Sequence, residues 1–208
     1  MKKRGFRKFY TLIEIMTVIV IAAILFGIGI PAFTTMIQGS NMTIAIRQLS
    51  SKIAAARAYA VSNAPSDSKV AVLLMEGVKN ASGEMKDDYC YSAYRVCIVS
   101  GNSSSYTFQE WIEEENWKTL PKGIYRDSVT GTVTVNSVAG TDLKPSDSEE
   151  YPAIVFDKKG QMSAAAEITL KHGRYVNGKI PTPSGGADHK LTINQYSGKV
   201  SVTEASGS

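Results

Sequence analysis

Hydrophobic positions along the chain follow three different rhythms, and each predicts its own kind of element. From Thr11 to Ile30 the sequence reads TLIEIMTVIVIAAILFGIGI, an apolar run broken by one charge, Glu14. Further on, Met42, Ile46, Leu49, Ile53, Ala56 and Ala60 recur at spacings of 4, 3, 4, 3 and 4, with Gln48, Ser51, Lys52 and Arg57 between them. That spacing is one apolar stripe on an amphipathic helix. The helix is predicted to stop near Asn63, since Pro65 and Asp67 break it. Gly27, Gly29 and Gly39 weaken its middle, and Pro31 removes a hydrogen bond and kinks it.

Beyond Pro65 the period shortens towards two. Lys69–Met75, Tyr94–Val99, Tyr106–Ile112, Thr132–Val135 and Ala153–Phe156 are short β-rich runs bounded by Gly, Ser and Asn. Phe156–Gln161 reads as a turn in which Gly160 supplies positive φ. Leu191–Val202 reads as a hairpin, two alternating strands around Ser197-Gly198. The expected fold class is therefore α+β, a long N-terminal helix packed on antiparallel β-sheets.

Length and charge then assign an address to the apolar run. Leu12–Ile30 is 19 residues, roughly 28 Å of helix against a hydrocarbon core of about 30 Å. A cleaved secretory core is shorter and ends in a small-x-small site, whereas this run continues into Pro31-Ala32-Phe33. Lys2, Lys3, Arg4, Arg7 and Lys8 all precede it. The positive-inside rule then predicts a single-pass anchor over about 12–30, with the N-terminus cytoplasmic and the rest exported; the resemblance described below implies that this membrane is the bacterial inner membrane and the exported side the periplasm. Three segments are expected: a basic leader (1–9, its end implied by the resemblance described below), the N-terminal helix (10–63) and a β-rich globular domain (64–208). A carboxylate within a membrane run costs on the order of 2.5 to 3.5 kcal/mol on insertion scales, so Glu14 is either paired and functional or lies at the headgroups.

The formal charge of +4 over 208 residues comes from the leader. It holds five of the 23 basic residues, which leaves 18 against 19 acidic ones in residues 10–208. A near-neutral remainder gives no general attraction to nucleic acid. Trp111, Trp117 and Tyr125 could stack on bases, but we read them as cover for the sheet and helix. Glu113-Glu114-Glu115 reads as a solvated face. His172 and His189 have no metal-ligand spacing to a Cys or carboxylate pair, and no nucleophile elbow, phosphate loop or HExxH occurs. No enzyme, cofactor or metal is expected. Cys90 and Cys97 are the only cysteines, and export would permit a disulfide between them. On one straight strand their Cα atoms would lie roughly 23 Å apart, against the ~5.5 Å that a bridge needs, so it requires a turn near Ser92-Ala93.

Phe9-Tyr10-Thr11-Leu12-Ile13-Glu14-Ile15-Met16 resembles the processing and methylation motif of type IV prepilins and type II secretion pseudopilins. The resemblance implies cleavage between Phe9 and Tyr10 by prepilin peptidase and N-methylation of Tyr10. It implies an assembly role for Glu14, which would pair with a neighbouring subunit's terminal amine. Pro31 falls 17 residues after Glu14, where the family commonly kinks its helix. Phe9 departs from the Gly that usually precedes the cut, and the leader's only glycine, Gly5, lies four positions too early. Trp117-Lys118-Thr119-Leu120-Pro121-Lys122-Gly123-Ile124 resembles a W-x-x-L-P-x-G segment of the H-type minor pseudopilins and the related T-type fimbrial minor pilins. Ile154-Val155-Phe156 with Gly160, and Ser197-Gly198-Lys199-Val200, resemble their closing strands. The implied function is that of a minor pseudopilin in a type II secretion pseudopilus. Its implied partners are other pilin-like subunits, the peptidase, the inner-membrane assembly platform, and lipid before assembly. A minor pilin of a type IV pilus and a non-polymerising anchored domain are the alternatives.

Overall fold

The computed structural model describes residues 11–79, 86, 89–102, 105–112, 116–141, 143–145, 150–173 and 187–205. The chain divides into two units, Met1–Ser40 and Asn41–Ser208, and helix α1 (Leu12–Ser62) contributes to both.

In the first unit, Thr11 starts the helix. The Glu14 amide donates to the Thr11 carbonyl (3.0 Å) and to its Oγ1 (3.3 Å), which is how a threonine N-cap satisfies an orphan donor of the first turn. Leu12, Ile13, Ile15, Met16, Val18, Ile19, Val20, Ile21, Ile24, Leu25 and Phe26 are all exposed. Pro31 lies within the helical backbone. The expected membrane span and single-pass inner-membrane placement are corrected here. Among the described residues, no helix is long and apolar enough to cross a membrane. The run is interrupted by the charge of Glu14, which sits in the first turn of the helix.

The second unit corrects the expected α+β class as well: about 40% of the described residues are in strands, the molecule is mostly β, and part of it is closed. Strands β1 (Lys69–Leu74), β3 (Ala93–Asn102), β4 (Ser105–Trp111), β7 (Val133–Asn136) and β9 (Tyr151–Phe156) follow the spatial order β1-β9-β7-β4-β3, and β3 pairs back onto β1. Five strands thus form a closed barrel. They are not all antiparallel, since β4 runs parallel to β7 with Tyr106 opposite Val135. The short β5 (Lys118–Thr119) adds to β3 beside β4. A two-stranded ribbon joins β2 (Val78–Lys79) to β8 (Lys144–Pro145). The second sheet is antiparallel, in the order β12-β11-β10-β6, from β6 (Ile124–Thr130), β10 (Ala166–His172), β11 (Asp188–Ile193) and β12 (Val200–Ala205).

The physical reason for closure lies in β1. KVAVLL is buried at every position after Lys69, so it needs cover on both faces, and a one-sided sheet supplies only one. Its odd positions Ala71 and Leu73, with Met75 beyond, point into the barrel with Ala93, Cys97, Val99, Tyr106, Val135, Ala153 and Val155. A five-stranded barrel is narrow, which suits small residues at Ala71, Ala93, Cys97 and Ala153. The even positions Val70, Val72 and Leu74 face the other core, with Tyr94, Val96, Ile154 and Phe156.

That second core is where α1 docks. Met42, Ala45, Leu49, Ile53, Ala56 and Ala60 are buried between the barrel's outer face and Ile168, Leu170, Leu191 and Ile193 of the second sheet. Ala45, not Ile46, takes the fully buried place in the stripe. The segment Leu120–Gly123 links barrel to sheet: the Lys122 carbonyl accepts from Asn41 Nδ2 at 3.1 Å and the Gly123 carbonyl from the Gly173 amide at 2.9 Å. Arg126 fastens the same join, its Nη2 donating to the Met75 carbonyl at 3.0 Å.

Candidate functional site

Two places carry the residues that could do more than hold the fold. The first is the start of α1. Phe9 and Tyr10, the predicted cleavage pair and methylation site, lie outside the described residues, as does the Glu113–Glu115 run. Glu14 is exposed on the first turn among exposed apolar neighbours. There the carboxylate also complements the positive end of the helix dipole, so Thr11 and Glu14 stand in the T-x-x-E arrangement of a capping box. Among the described residues nothing covers Leu12, 78% exposed, or Ile13, 73% exposed.

The second place is one mouth of the barrel, where the tryptophans gather. Trp111 packs on Phe108 with ring centroids 4.7 Å apart and meets Trp117 edge-on at 6.0 Å. Trp117 in turn lies nearly parallel to Tyr151 at 6.0 Å. Each polar ring atom is tied to one short segment. Trp111 Nε1 donates to the Ala139 carbonyl, Trp117 Nε1 to Thr141 Oγ1, and the Tyr151 hydroxyl to the Leu143 carbonyl, each at 2.9 Å. Three rings therefore hold residues 139, 141 and 143 in alternation. Gly140, at φ +68°, makes the turn between the first two, and its position under Trp111 leaves little room for a side chain. Arg95 stacks over Trp111 with its guanidinium carbon 3.8 Å from the ring centroid, a close cation–π contact. Between these groups lies a cavity of about 260 Å³ lined by Tyr89, Arg95, Asn116, Trp117, Gly140, Thr141 and Leu143.

The sequence pattern did not reveal this gathering. Trp111 and Trp117 are near in sequence, but residues 139–143 and Tyr151 reach them only through the parallel β4–β7 pair and the β7–β9 pair. Tyr125, grouped with the tryptophans in the sequence, is buried instead within the second sheet, on β6 opposite Lys171. There burial, then the neighbouring Asp127, push its phenol pKa up.

Cys90 and Cys97 are both buried thiols, not joined to each other. Cys90 Sγ donates to the Lys86 carbonyl at 3.4 Å, and the residues between them do turn, with Ala93 N bonded to Tyr89 O at 3.1 Å. Cys97 lies in the barrel core, where burial pushes its thiol well above the usual range against the opposing pull of Arg95. Such a thiol is a packing group, not a nucleophile.

The two histidines, unconnected in sequence, come together on the second sheet. His189 pairs with Leu170, two residues before His172, and each ring has a buried Nδ1 without a hydrogen-bond partner among the described residues. Burial lowers the His172 pKa, His189 lowers it further, and Asp188 opposes both. Among the described residues no group of three or more His, Cys, Asp or Glu could hold a metal ion.

Compared with family models, curated proteins and solved structures, the chain finds no match.

Proposed function

We propose that this chain is a minor pseudopilin, a subunit of a type II secretion pseudopilus, cut by prepilin peptidase and assembled through its N-terminal helix. The observation that carries the reading is the sequence Phe9–Met16 together with a helix, beginning at Leu12, whose apolar side chains from Leu12 to Phe26 have no cover among the described residues. A helix apolar all round is stable only when something encloses it. Equivalent helices of neighbouring subunits supply that enclosure and bury apolar area at about 25 cal/mol per Å².

Assembly then follows from the chemistry of the first turns. Removal of residues 1–9 creates a new amine at Tyr10. Glu14 of an adjacent subunit accepts from that amine in a charge-assisted hydrogen bond, roughly twice as strong as a neutral one. The bond becomes stronger as the surrounding apolar helices exclude water. It fixes the axial register of one helix against the next, which apolar contact alone leaves loose. The β unit, folded around its own two cores, is carried outside the helical bundle.

The test is the mass and N-terminal sequence of the chain after co-expression with a prepilin peptidase. The expected product begins at N-methylated Tyr10. A chain that keeps Met1–Phe9, alongside a control prepilin that is cut, would overturn the reading. Glu14→Ala should be processed like the parent yet fail to co-purify with other subunits.

A further inference from the structure

Beyond assembly through the helix, we propose that the free edge of β12 (Val200–Ala205) pairs with the same edge of a second copy of this chain, about a two-fold axis at Val202. β12 is the last strand of its sheet, and among the described residues only β11 pairs with it. The direction of its backbone groups follows from the turn. The Asn194 amide donates to the Lys199 carbonyl at 3.0 Å, so Lys199 faces β11. Antiparallel strands alternate between bonded and non-bonded pairs, so Ser201 and Thr203 also bond to β11. Val200, Val202 and Glu204 then turn their amides and carbonyls outwards.

Nothing in the strand blunts that edge. Native edges carry lysine, proline or a bulge against pairing with another chain, whereas VSVTEA has none of these and keeps an unbroken register with β11. Ser201, Val202, Thr203 and Glu204 are all exposed. A row of apolar residues also stops there unfinished. Val129, Ile168, Leu191 and Val202 lie opposite one another across β6, β10, β11 and β12. Ile168 and Leu191 are wholly buried, but Val202, on the same face, is 43% exposed.

A second copy answers both the backbone and the row. With Val202 opposite the partner's Val202, Val200 meets the partner's Glu204 and Ser201 meets the partner's Thr203. Outward groups then face outward groups, and each of the three outward residues exchanges both its hydrogen bonds. The two valines carry the apolar row on into the partner's sheet. Ser–Thr pairs are favourable across strands, and no like charges stand opposite, since the two Glu204 lie at opposite ends. A slip of one residue would set bonded positions against non-bonded ones and turn every side chain to the wrong face. The contact is isologous and joins two four-stranded sheets into one. A single strand pair is a small interface, so the association is reversible. It does not depend on cleavage before Tyr10, so this proposal and the fibre reading fail separately.

The test is a cysteine at the axis, Val202→Cys, in the full chain in detergent. Bonded pairs have Cα atoms about 5.5 Å apart, within the reach of a disulfide, and the native Cys90 and Cys97 are buried. Mild oxidation should link the homodimer about ten-fold faster than in Tyr196→Cys, because paired strands raise the effective concentration of the thiols. Tyr196 is the more exposed position, at 67%, but lies on the turn away from the axis. Adding Glu204→Pro to Val202→Cys should slow the cross-link about ten-fold, through lost hydrogen bonds between copies. It should keep the melting temperature of the parent, because the amide it removes faces outwards. Thr203→Pro, whose amide bonds to β11, should lower that temperature instead. The proposal fails if Val202→Cys links no faster than Tyr196→Cys, or if Glu204→Pro leaves the rate unchanged. It fails too if Glu204→Pro destabilises the sheet as much as Thr203→Pro does, since the free edge would then present other residues. Cross-links from Val202→Cys to other proteins of the expressing cell, without the homodimer, would overturn the second copy as occupant.

Discussion

Helix α1 meets its surroundings in two opposite ways, and the difference separates what folds this chain from what it is for. Between Met42 and Ala60 it shows one buried stripe, and the chain's own sheets cover that stripe. Between Leu12 and Phe26 it is apolar on every side, and each of its large hydrophobic side chains is exposed. Burial of the first stretch stabilises the fold of a single chain. No described residue buries the second, and the proposed assembly would do so.

The sharpest way to break this comparison is to truncate a side chain in each stretch. Ile53→Ala removes a wholly buried side chain and should lower the stability of the β unit by about 2 to 5 kcal/mol, read by urea denaturation. Ile19→Ala, in the exposed stretch, should change that stability by less than about 0.5 kcal/mol while weakening co-purification with partner subunits. Equal losses from both would mean that the two stretches are not energetically distinct.

A second prediction concerns how the helix is keyed to the hairpins. Arg57 Nε donates to the Gly160 carbonyl at 3.0 Å, and its side chain also lies against Gly198, at φ +61°. A Cβ built on Gly198 would come within 2.3 Å of Arg57 Cδ. Gly198→Ala should cost about 1 to 3 kcal/mol through backbone strain and this clash. Arg57→Ala in the same chain should recover part of it, since only the clash is relieved. A Gly198→Ala chain as stable as the parent would show that Arg57 does not constrain the turn.

Glu14→Gln sharpens the comparison from the other side. It should leave the unfolding of the β unit within about 0.5 kcal/mol of the parent and abolish assembly. If Thr11→Ala, which removes the cap, abolishes assembly equally, the role of Glu14 is to start the helix and not to pair with a neighbour.

The smallest effect is on pH. His172 has a lowered pKa in the fold, so the unfolded chain takes up a proton that the folded one resists. Stability should be level above the ordinary histidine value of about 6.5 and fall as pH drops below it. His172→Gln should reduce the difference between denaturation midpoints at pH 7.5 and 5.5. An undiminished difference would assign the acid sensitivity to other groups.

Local rules made parts of this architecture legible. The turn at Ser197-Gly198 was readable because two alternating runs flank that pair, and β11 and β12 pair around it with Ile193 opposite Val200. The stripe from Met42 to Ala60 was readable from its spacing, with the error of one position at Ala45. Strands β6 and β10 were not read. Arg126, Asp127 and Ser128 interrupt β6, while Ala166–His172 alternates cleanly (AEITLKH). Closure of the barrel could not be read at all, because β1–β9 and β4–β7 are pairings between distant segments that no local period records. The membrane span was inferred from hydropathy and length, which register an all-apolar helix without saying what encloses it. The gathering of Trp111, Trp117 and Tyr151 stayed hidden for the same reason as the barrel, being made of residues that only the closed topology assembles.

The pairing of β1 with β9, Val70 opposite Phe156, also sets a timetable. As the chain is synthesised, the buried strand Val70–Leu74 must wait for more than eighty further residues before its second neighbour exists. Non-local pairings of this kind make folding slow, because loop closure precedes any reward. A nascent chain with an uncovered helix and an unpartnered apolar strand is exposed to aggregation throughout that interval. Circular permutants that place β9 next to β1 should therefore refold faster than the natural order without becoming more stable.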